Sequence, residues 1–181
     1  MRVLAFTGSL RKGSFNHGLL VAAQELNLPG VEVEIFDVGR LPLFNQDLEM
    51  APPEAVVELK SKIKAADAVL FSTPEYNYSI PGVLKNAIDW ASRPYGDNSF
   101  DNKPAAIMGG SGGMIASSRA QYHLRQCCVF LNMHPLNKPE VMVPMIHEKF
   151  DQQGKLTDEK TREKIKEMLE ALRSWHDQLK K

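Results

Sequence analysis

The chain has 181 residues, of which 43% are hydrophobic and 24% are charged, a composition that predicts one globular domain and excludes a disordered chain. Its 22 basic and 22 acidic residues give a formal net charge of +0, so the charge balance favours neither nucleic acid nor an anionic membrane as partner. No apolar run approaches the roughly 20 residues that a transmembrane helix needs, which predicts no membrane insertion.

The first half of the chain alternates short apolar segments with patterns typical of helices. Leu19, Leu20 and Ala23 recur at helical spacing, whereas residues 67–73 form one apolar run, as in a strand buried on both faces. In chain order, the predictions are a strand over 2–7, a helix over 14–28, a strand over 31–36, a loop over 41–53, a helix over 53–66, a strand over 67–73 and a helix over 81–92.

The second half continues the alternation. The predictions are a strand over 103–108, a helix over 115–131, a last strand within 134–143 and an amphipathic helix over 157–179. Five strands that alternate with five helices predict a doubly wound α/β fold, in which a parallel sheet carries helices on both faces. Neither a repeat nor a low-complexity segment interrupts the pattern, so we expect a single domain over residues 1–181.

The loop that follows the first strand has the composition of a phosphate site. Residues 8–16, GSLRKGSFN, place the donors Ser9, Ser14 and Asn16 and the guanidinium of Arg11 at the start of a helix. Free N–H groups and the helix dipole favour an anion at this position. The loop is neither G-x-G-x-x-G nor a Walker motif, which favours a mononucleotide over a dinucleotide. A turn with a simple helix cap is the alternative.

The loop that follows the third strand contains two aromatic residues beside prolines. Tyr76 and Tyr78 lie within residues 74–78, PEYNY, and could frame a flat ring, while backbone N–H groups bind its carbonyl and nitrogen acceptors. Alternatively, either tyrosine packs against the loop itself. We interpret Glu75 as structural, because hydride chemistry on a cofactor needs no general acid.

The loop that follows the fourth strand, Gly109–Gly113, is GGSGG and leaves little side chain between the backbone and a ligand. This composition suits close approach to a ring edge or a second substrate, and a mobile loop without ligand contact is the alternative. The next helix carries Arg119, Tyr122 and Arg125, which could serve a subunit contact, a nicotinamide phosphate or a plain solvated face. Together, the three loops predict a site for a phosphate and a flat ring.

The first two loops closely resemble those of the NADPH-dependent FMN reductases, in the branch that contains soluble quinone and chromate reductases. The resemblance spans roughly residues 1–145 and rests on GSLRKGSFN and on PEYNYSIPGVLKNAIDW, residues 74–90. It implies a flavodoxin-like fold of strand order 2-1-3-4-5, noncovalent FMN and a homodimer or homotetramer. It also implies three groups of FMN-binding residues: Ser9, Arg11, Ser14, Phe15 and Asn16 for the phosphate and ribityl end, Pro74, Glu75, Tyr76, Asn77 and Tyr78 for the ring, and Ser111 and Gly112 from the third loop.

The expected activity is a ping-pong oxidoreduction. NADPH or NADH gives a hydride to the flavin, and a small acceptor such as a quinone, with chromate and azo compounds as further acceptors, then collects the electrons. We therefore expect cofactor-binding residues and no catalytic side chain. The alternatives are a flavodoxin-type electron carrier and a reductase that releases free reduced FMN. A carrier is disfavoured because such proteins tend to be strongly acidic.

The remaining reactive side chains favour structural interpretations. Cys127 and Cys128 are adjacent within a helical pattern, which favours packing over redox chemistry and predicts a reduced, cytoplasmic setting. The N-terminal segment also lacks the regions of a signal peptide. His123, His134 and His147 fit no metal-ligand spacing, and we interpret them as solvated or capping groups.

Overall fold

A parallel β-sheet forms the centre of the computed structural model, which describes residues 1–180. Its strands run in the order β2-β1-β3-β4-β5, and β6 also pairs with β4. This confirms the order 2-1-3-4-5 that the resemblance implied. The strands are β1 (Arg2–Thr7), β2 (Glu32–Ile35), β3 (Ala68–Ser72), β4 (Pro104–Gly110), β5 (His134–Pro135) and β6 (Val141–Val143).

Five α-helices occupy the predicted segments, with ends within three residues of the predicted ones. Ser14 caps the first helix, because its Oγ accepts the N–H of His17 at 3.2 Å. Within the described residues, the helices lack the combination of length and apolar character that crossing a membrane requires. The helices are α1 (Phe15–Glu25), α2 (Glu54–Ala65), α3 (Gly82–Ala91), α4 (Ser118–Phe130) and α5 (Glu159–Leu179).

Apolar residues of the strands alternate between two cores, one on each face of the sheet. Phe6 and Phe71, with ring centroids 5.1 Å apart, face the core that α2, α3 and α4 cover. Leu70 and Met108 face the other core, together with residues of α1 and α5. Each such fully buried side chain contributes about 1.5–3 kcal/mol of transfer free energy. Helices therefore cover both faces, as predicted, and all the strand carboxyl ends point to one edge.

The prediction of one last strand within 134–143 is wrong, because the segment forms two short strands. After β5, the N–H of Leu136 still donates to the carbonyl of Ala105 at 2.7 Å, and the chain then leaves the sheet. It returns at Val141, opposite Met108. Pro139 lies in the excursion, where its missing N–H cannot serve a ladder. The sheet therefore has six strands instead of the five expected.

Candidate functional site

The loops after β1, β3 and β4 meet at the carboxyl edge of the sheet and enclose a cavity of about 290 Å³. Asn77 and Tyr78 line an adjoining groove of about 480 Å³, which shares Glu75 and Ser111 with the cavity. Together the two spaces have the size of ordinary small-molecule sites. The other ten residues that the sequence predicted line the cavity itself: Ser9, Arg11, Ser14, Phe15, Asn16, Pro74, Glu75, Tyr76, Ser111 and Gly112.

The loop after β1 presents unpaired donors at the start of α1. The N–H groups of Phe15 and Asn16 have no protein acceptor within residues 1–180, as expected in the first turn of a helix. The guanidinium of Arg11 lies 5.1 Å from the ring centroid of Phe15, and no carboxylate of the described chain pairs with it. Backbone N–H groups and a free guanidinium at a helix N-terminus together favour an anion such as a phosphate.

Asn16 connects this loop to the end of β4. Its amide oxygen accepts the N–H of Gly110 at 3.0 Å, and its amide nitrogen donates to the carbonyl of Gly110 at 3.0 Å. The hydroxyl of Ser72 donates to the backbone carbonyl of Asn16 at 2.8 Å. We expected the Asn16 amide to serve the phosphate. In the structure, the oxygen and one N–H of that amide join two loops instead.

The loop after β3 is a tight turn with unpaired N–H groups. Asn77 and Tyr78 adopt left-handed backbone conformations, with φ of 51° and 66°, and the backbones of Tyr76 and Ser79 exchange two hydrogen bonds of 3.0 Å. The N–H groups of Glu75, Asn77 and Tyr78 find no acceptor among residues 1–180. They suit the carbonyl and nitrogen acceptors of a heterocycle. Tyr76 is half exposed at the cavity.

The carboxylate of Glu75 is directed to α4 and not to the cavity. It accepts the N–H groups of Arg119 at 3.0 Å and Ala120 at 3.3 Å, and it also pairs with the Arg119 guanidinium at 2.5 Å. The side chain is buried, with 7% exposed. These contacts agree with the structural interpretation of Glu75 and leave its backbone as the part that can face a ligand. They also place Arg119 in an ion pair, which was not among the roles considered for it.

The glycines of the third loop serve two different purposes. A Cβ atom on Gly109 would lie 2.0 Å from the carbonyl oxygen of Thr73, and one on Gly110 would lie 2.4 Å from that of Val143. These two residues are the end of β4, where glycine permits close strand packing. Gly112 and Gly113 have open space around them. Only the second pair therefore has room for a side chain, although Gly110 also lines the cavity.

Three residues of the cavity were not among the predicted site residues: Gly110, which lies in the third loop, Ile146 and His147. The last two belong to a 3₁₀ turn, Ile146–Lys149, that follows β6. The N–H of Ile146 donates to the carbonyl of Ser111 at 3.0 Å, which brings the turn to the third loop. The half-exposed side chain of His147 agrees with its interpretation as a solvated or capping group. Only the pairing of β6 with β4 reveals its place at the cavity.

The cysteines contribute no chemistry to the cavity. Cys128 is fully buried in the core beneath α3 and α4, and burial raises the pKa of its thiol to about 12. Burial also raises the pKa of the half-buried Cys127. A thiol with a raised pKa is a poor nucleophile at neutral pH. Cys128 belongs to the core and Cys127 packs against it, which agrees with the packing interpretation. Across residues 1–180, no cluster of histidine, cysteine or carboxylate side chains could hold a metal ion.

The fold and the cavity define a class of protein. A sheet of order 2-1-3-4-5, with unpaired N–H groups on the loop after β1 and a cavity at the same edge, is typical of flavodoxin-like nucleotide-binding proteins. Residues 1–148 match the family described as NADPH-dependent FMN reductase, and the chain belongs to that family.

Relatives with known names match nearly the whole chain. The NAD(P)H-dependent FMN reductase of Pseudomonas aeruginosa is 53% identical over 97% of this chain and 95% of its own length. The NADPH:quinone oxidoreductase of Arabidopsis thaliana is 47% identical over 97% of this chain and 91% of its own. The structure of FerB, a flavoenzyme NAD(P)H:(acceptor) oxidoreductase from Paracoccus denitrificans, superposes with a TM-score of 0.89 at 41% identity, covering 98% of this chain and 97% of that one.

Proposed function

We propose that the chain is an FMN-containing oxidoreductase that takes a hydride from NADPH or NADH and reduces small acceptors such as quinones. One observation carries the proposal. The cavity has an unpaired guanidinium and free helical N–H groups on the loop after β1, and the loop after β3 carries three free N–H groups where the cavity meets the adjoining groove. This arrangement matches a ligand that joins a phosphate to a flat heterocycle, as FMN does.

The residues of the cavity divide the binding of FMN between them. Ser9, Arg11 and Ser14, with the N–H groups of Phe15 and Asn16, hold the phosphate and ribityl end. Residues 74–78 line the isoalloxazine ring, and Ser111 and Gly112 meet it from the third loop. When bound, FMN would supply the chemistry of hydride and electron transfer. The protein would contribute the position of the reactants, the polarity around the ring and the exclusion of water. No side chain is assigned as an acid or a base.

Quinones are the acceptors that we favour, because relatives along the whole chain bear the name quinone oxidoreductase. Chromate and azo compounds are further candidates.

The purified protein distinguishes this proposal from its two alternatives. Wild-type protein with bound FMN should lose its visible flavin absorbance when NADPH is added anaerobically without another reductase, and it should regain the absorbance when a quinone follows. A protein that stays yellow with NADPH and also with NADH would be an electron carrier. Loss of FMN during gel filtration would instead support a reductase that supplies free reduced flavin.

Tyr76→Ala should weaken FMN binding by about 1 kcal/mol or more, because it removes an aromatic contact with the ring. Titration of apoprotein with FMN, followed by flavin fluorescence, measures the change. Tyr95→Ala is the matched control, since Tyr95 is also exposed but stacks on Arg93 and lines neither the cavity nor the adjoining groove. Equal dissociation constants for the two variants would contradict the placement of Tyr76 at the ring.

Cys128→Ser should lower the free energy of unfolding by about 1–3 kcal/mol, because it buries a hydroxyl in an apolar core. The turnover of folded enzyme should stay unchanged, since the thiol takes no part in hydride transfer. Urea unfolding and steady-state kinetics on the same sample measure both effects. If turnover disappeared while the flavin remained bound, the mechanism without a thiol would be refuted.

The assembly that we propose is a homodimer or homotetramer formed by identical chains. Tyr122, Val129 and Phe130 lie on α4 at a spacing that shares one face, and they are 54%, 80% and 74% exposed. Exposed apolar residues grouped on one helix mark an interaction surface, and a second copy is the partner that the resemblance implies. Light scattering after gel filtration tests this, with Val129→Glu expected to give a smaller species.

We also propose that residues 1–181 act as one FMN-binding domain in the cytoplasm. The two cores lie on opposite faces of one sheet, which supports a single unit. A half-buried free cysteine agrees with a reducing compartment.

A further inference from the structure

One turn of α4 supports the whole ring-binding loop. Glu75 receives the N–H groups of Arg119 and Ala120 at the start of the helix. The Arg119 guanidinium lies 3.7 Å from the ring centroid of Tyr78, and Nδ1 of His123 lies 3.0 Å from the hydroxyl of Ser79. Residues 119–123 therefore contact residues 75–79 at three places.

The loop needs this support because its own sequence does not favour its conformation. Asn77 and Tyr78 are both in the left-handed region, which is strained for a side chain as large as that of tyrosine. Within the loop, the two hydrogen bonds between Tyr76 and Ser79 close the turn, but they do not fix its orientation relative to the cavity. The orientation has to come from outside the loop.

The contact that Glu75 makes with α4 is the strongest of the three. Its carboxylate is buried, and it joins the charged Arg119 side chain, which is 40% exposed, to two backbone N–H groups. Hydrogen bonds that involve charged groups are stronger than neutral ones, and burial strengthens them further. Removal of the carboxylate would also free the guanidinium that covers Tyr78.

We propose that Glu75 is a positioning residue of the flavin site. By binding α4 and Arg119, its side chain holds the N–H groups of Glu75, Asn77 and Tyr78 in place where the cavity meets the adjoining groove, and it touches no cofactor atom itself. This inference rests on the proposed function, because the loop matters only if the cavity binds FMN. The expected effects are weaker FMN binding and a changed environment of the flavin ring, in a protein that still folds.

Two substitutions separate the contacts of the carboxylate. Glu75→Ala removes both the hydrogen bonds to α4 and the ion pair with Arg119. It should weaken FMN binding about ten- to a hundredfold, because the N–H groups of the loop would be displaced from their binding positions. Glu75→Gln keeps an oxygen for the N–H groups of Arg119 and Ala120, so it should restore part of the affinity. Apoprotein titrated with FMN gives the dissociation constants, and the visible absorption and dichroism of bound flavin report the ring environment.

Asp158 provides a matched control at another helix. It caps α5 by accepting the N–H of Thr161 at 2.9 Å, and it pairs with Lys149 at 3.3 Å, yet it lines neither the cavity nor the adjoining groove. Asp158→Ala should lower the Tm, as Glu75→Ala does, and leave both the FMN affinity and the flavin spectrum unchanged. A role for Glu75 in stability alone would make the two variants indistinguishable.

The outcomes separate this inference from the proposed function. If wild-type apoprotein fails to bind FMN, the proposed function itself is overturned. If the wild type binds FMN and Glu75→Ala binds it with the same affinity and spectrum, only the positioning role is overturned. If Glu75→Ala does not fold, Glu75→Gln and Arg119→Ala decide, since both should weaken binding and shift the spectrum. Unchanged values in both would refute the inference.

Discussion

Arg11→Ala should weaken FMN binding by about 1.5–3 kcal/mol, the cost of losing a charge-assisted hydrogen bond, which corresponds to about one to two orders of magnitude in Kd. The guanidinium is the cation that the cavity offers at the start of α1, and no carboxylate within residues 1–180 competes for it. The loss should be smaller for riboflavin, which has no phosphate. Fluorescence titration of apoprotein with both ligands measures the difference.

Lys12→Ala is the control for this experiment. Lys12 is the neighbouring cation, but it lines only the groove beside β2, which shares Ser9 and Arg11 with the cavity, and it does not line the cavity itself. Its removal changes the net charge of the protein by the same amount as Arg11→Ala. If the two variants lost equal affinity for FMN, the effect would be general electrostatic attraction, and the assignment of the phosphate to Arg11 would be refuted.

Gly109→Ala should reduce the free energy of unfolding by about 3 kcal/mol or more, at the upper end of the range for overpacking. The new Cβ would lie 2.0 Å from the carbonyl oxygen of Thr73, so β3 and β4 must move apart. Because β3 and β4 lead into the second and third loops, their separation should also displace those loops. We therefore expect the affinity for FMN to fall together with the stability. Urea denaturation of the apoprotein gives the free energy directly.

Gly112→Ala tests the opposite behaviour at the same loop. A Cβ there would meet only the Nδ1 atom of His147, at 3.9 Å, so the unfolding free energy should change little. Because Gly112 lines the cavity, its substitution should instead affect FMN binding. Loss of stability at Gly112 or tolerance at Gly109 would contradict the division of the glycines into a packing pair and a ligand pair.

The sequence predicted those features that depend on local patterns. β1 was predicted residue for residue, because an apolar run ends at a glycine and a serine. The loops around Arg11 and Tyr76 were predicted because a parallel sheet brings strand carboxyl ends together. The split of the last strand was missed, since the spacing of apolar residues does not show where a proline interrupts the ladder.

Contacts between distant residues could not be predicted from the sequence. Asn16 binds a residue 94 positions away, and Glu75 binds residues 44 and 45 positions away, so neither partner is visible in a local motif. His147 reaches the cavity only because β6 returns to the sheet beside β4. In each case the residue type indicated a polar group, and only the tertiary fold shows whether it serves a ligand or another loop.

The side-chain amide of Asn16 and the backbone N–H and carbonyl of Gly110 form a reciprocal pair between the start of α1 and the end of β4. Both partners are uncharged at every pH at which the protein is folded, so neither acidity nor ionic strength alters the span between them. The opening in which a ligand's two ends must fit is thereby set before the ligand arrives. The two loops then lose little conformational entropy when a ligand binds. Differences in affinity between ligands should therefore arise mainly from their dissociation rates.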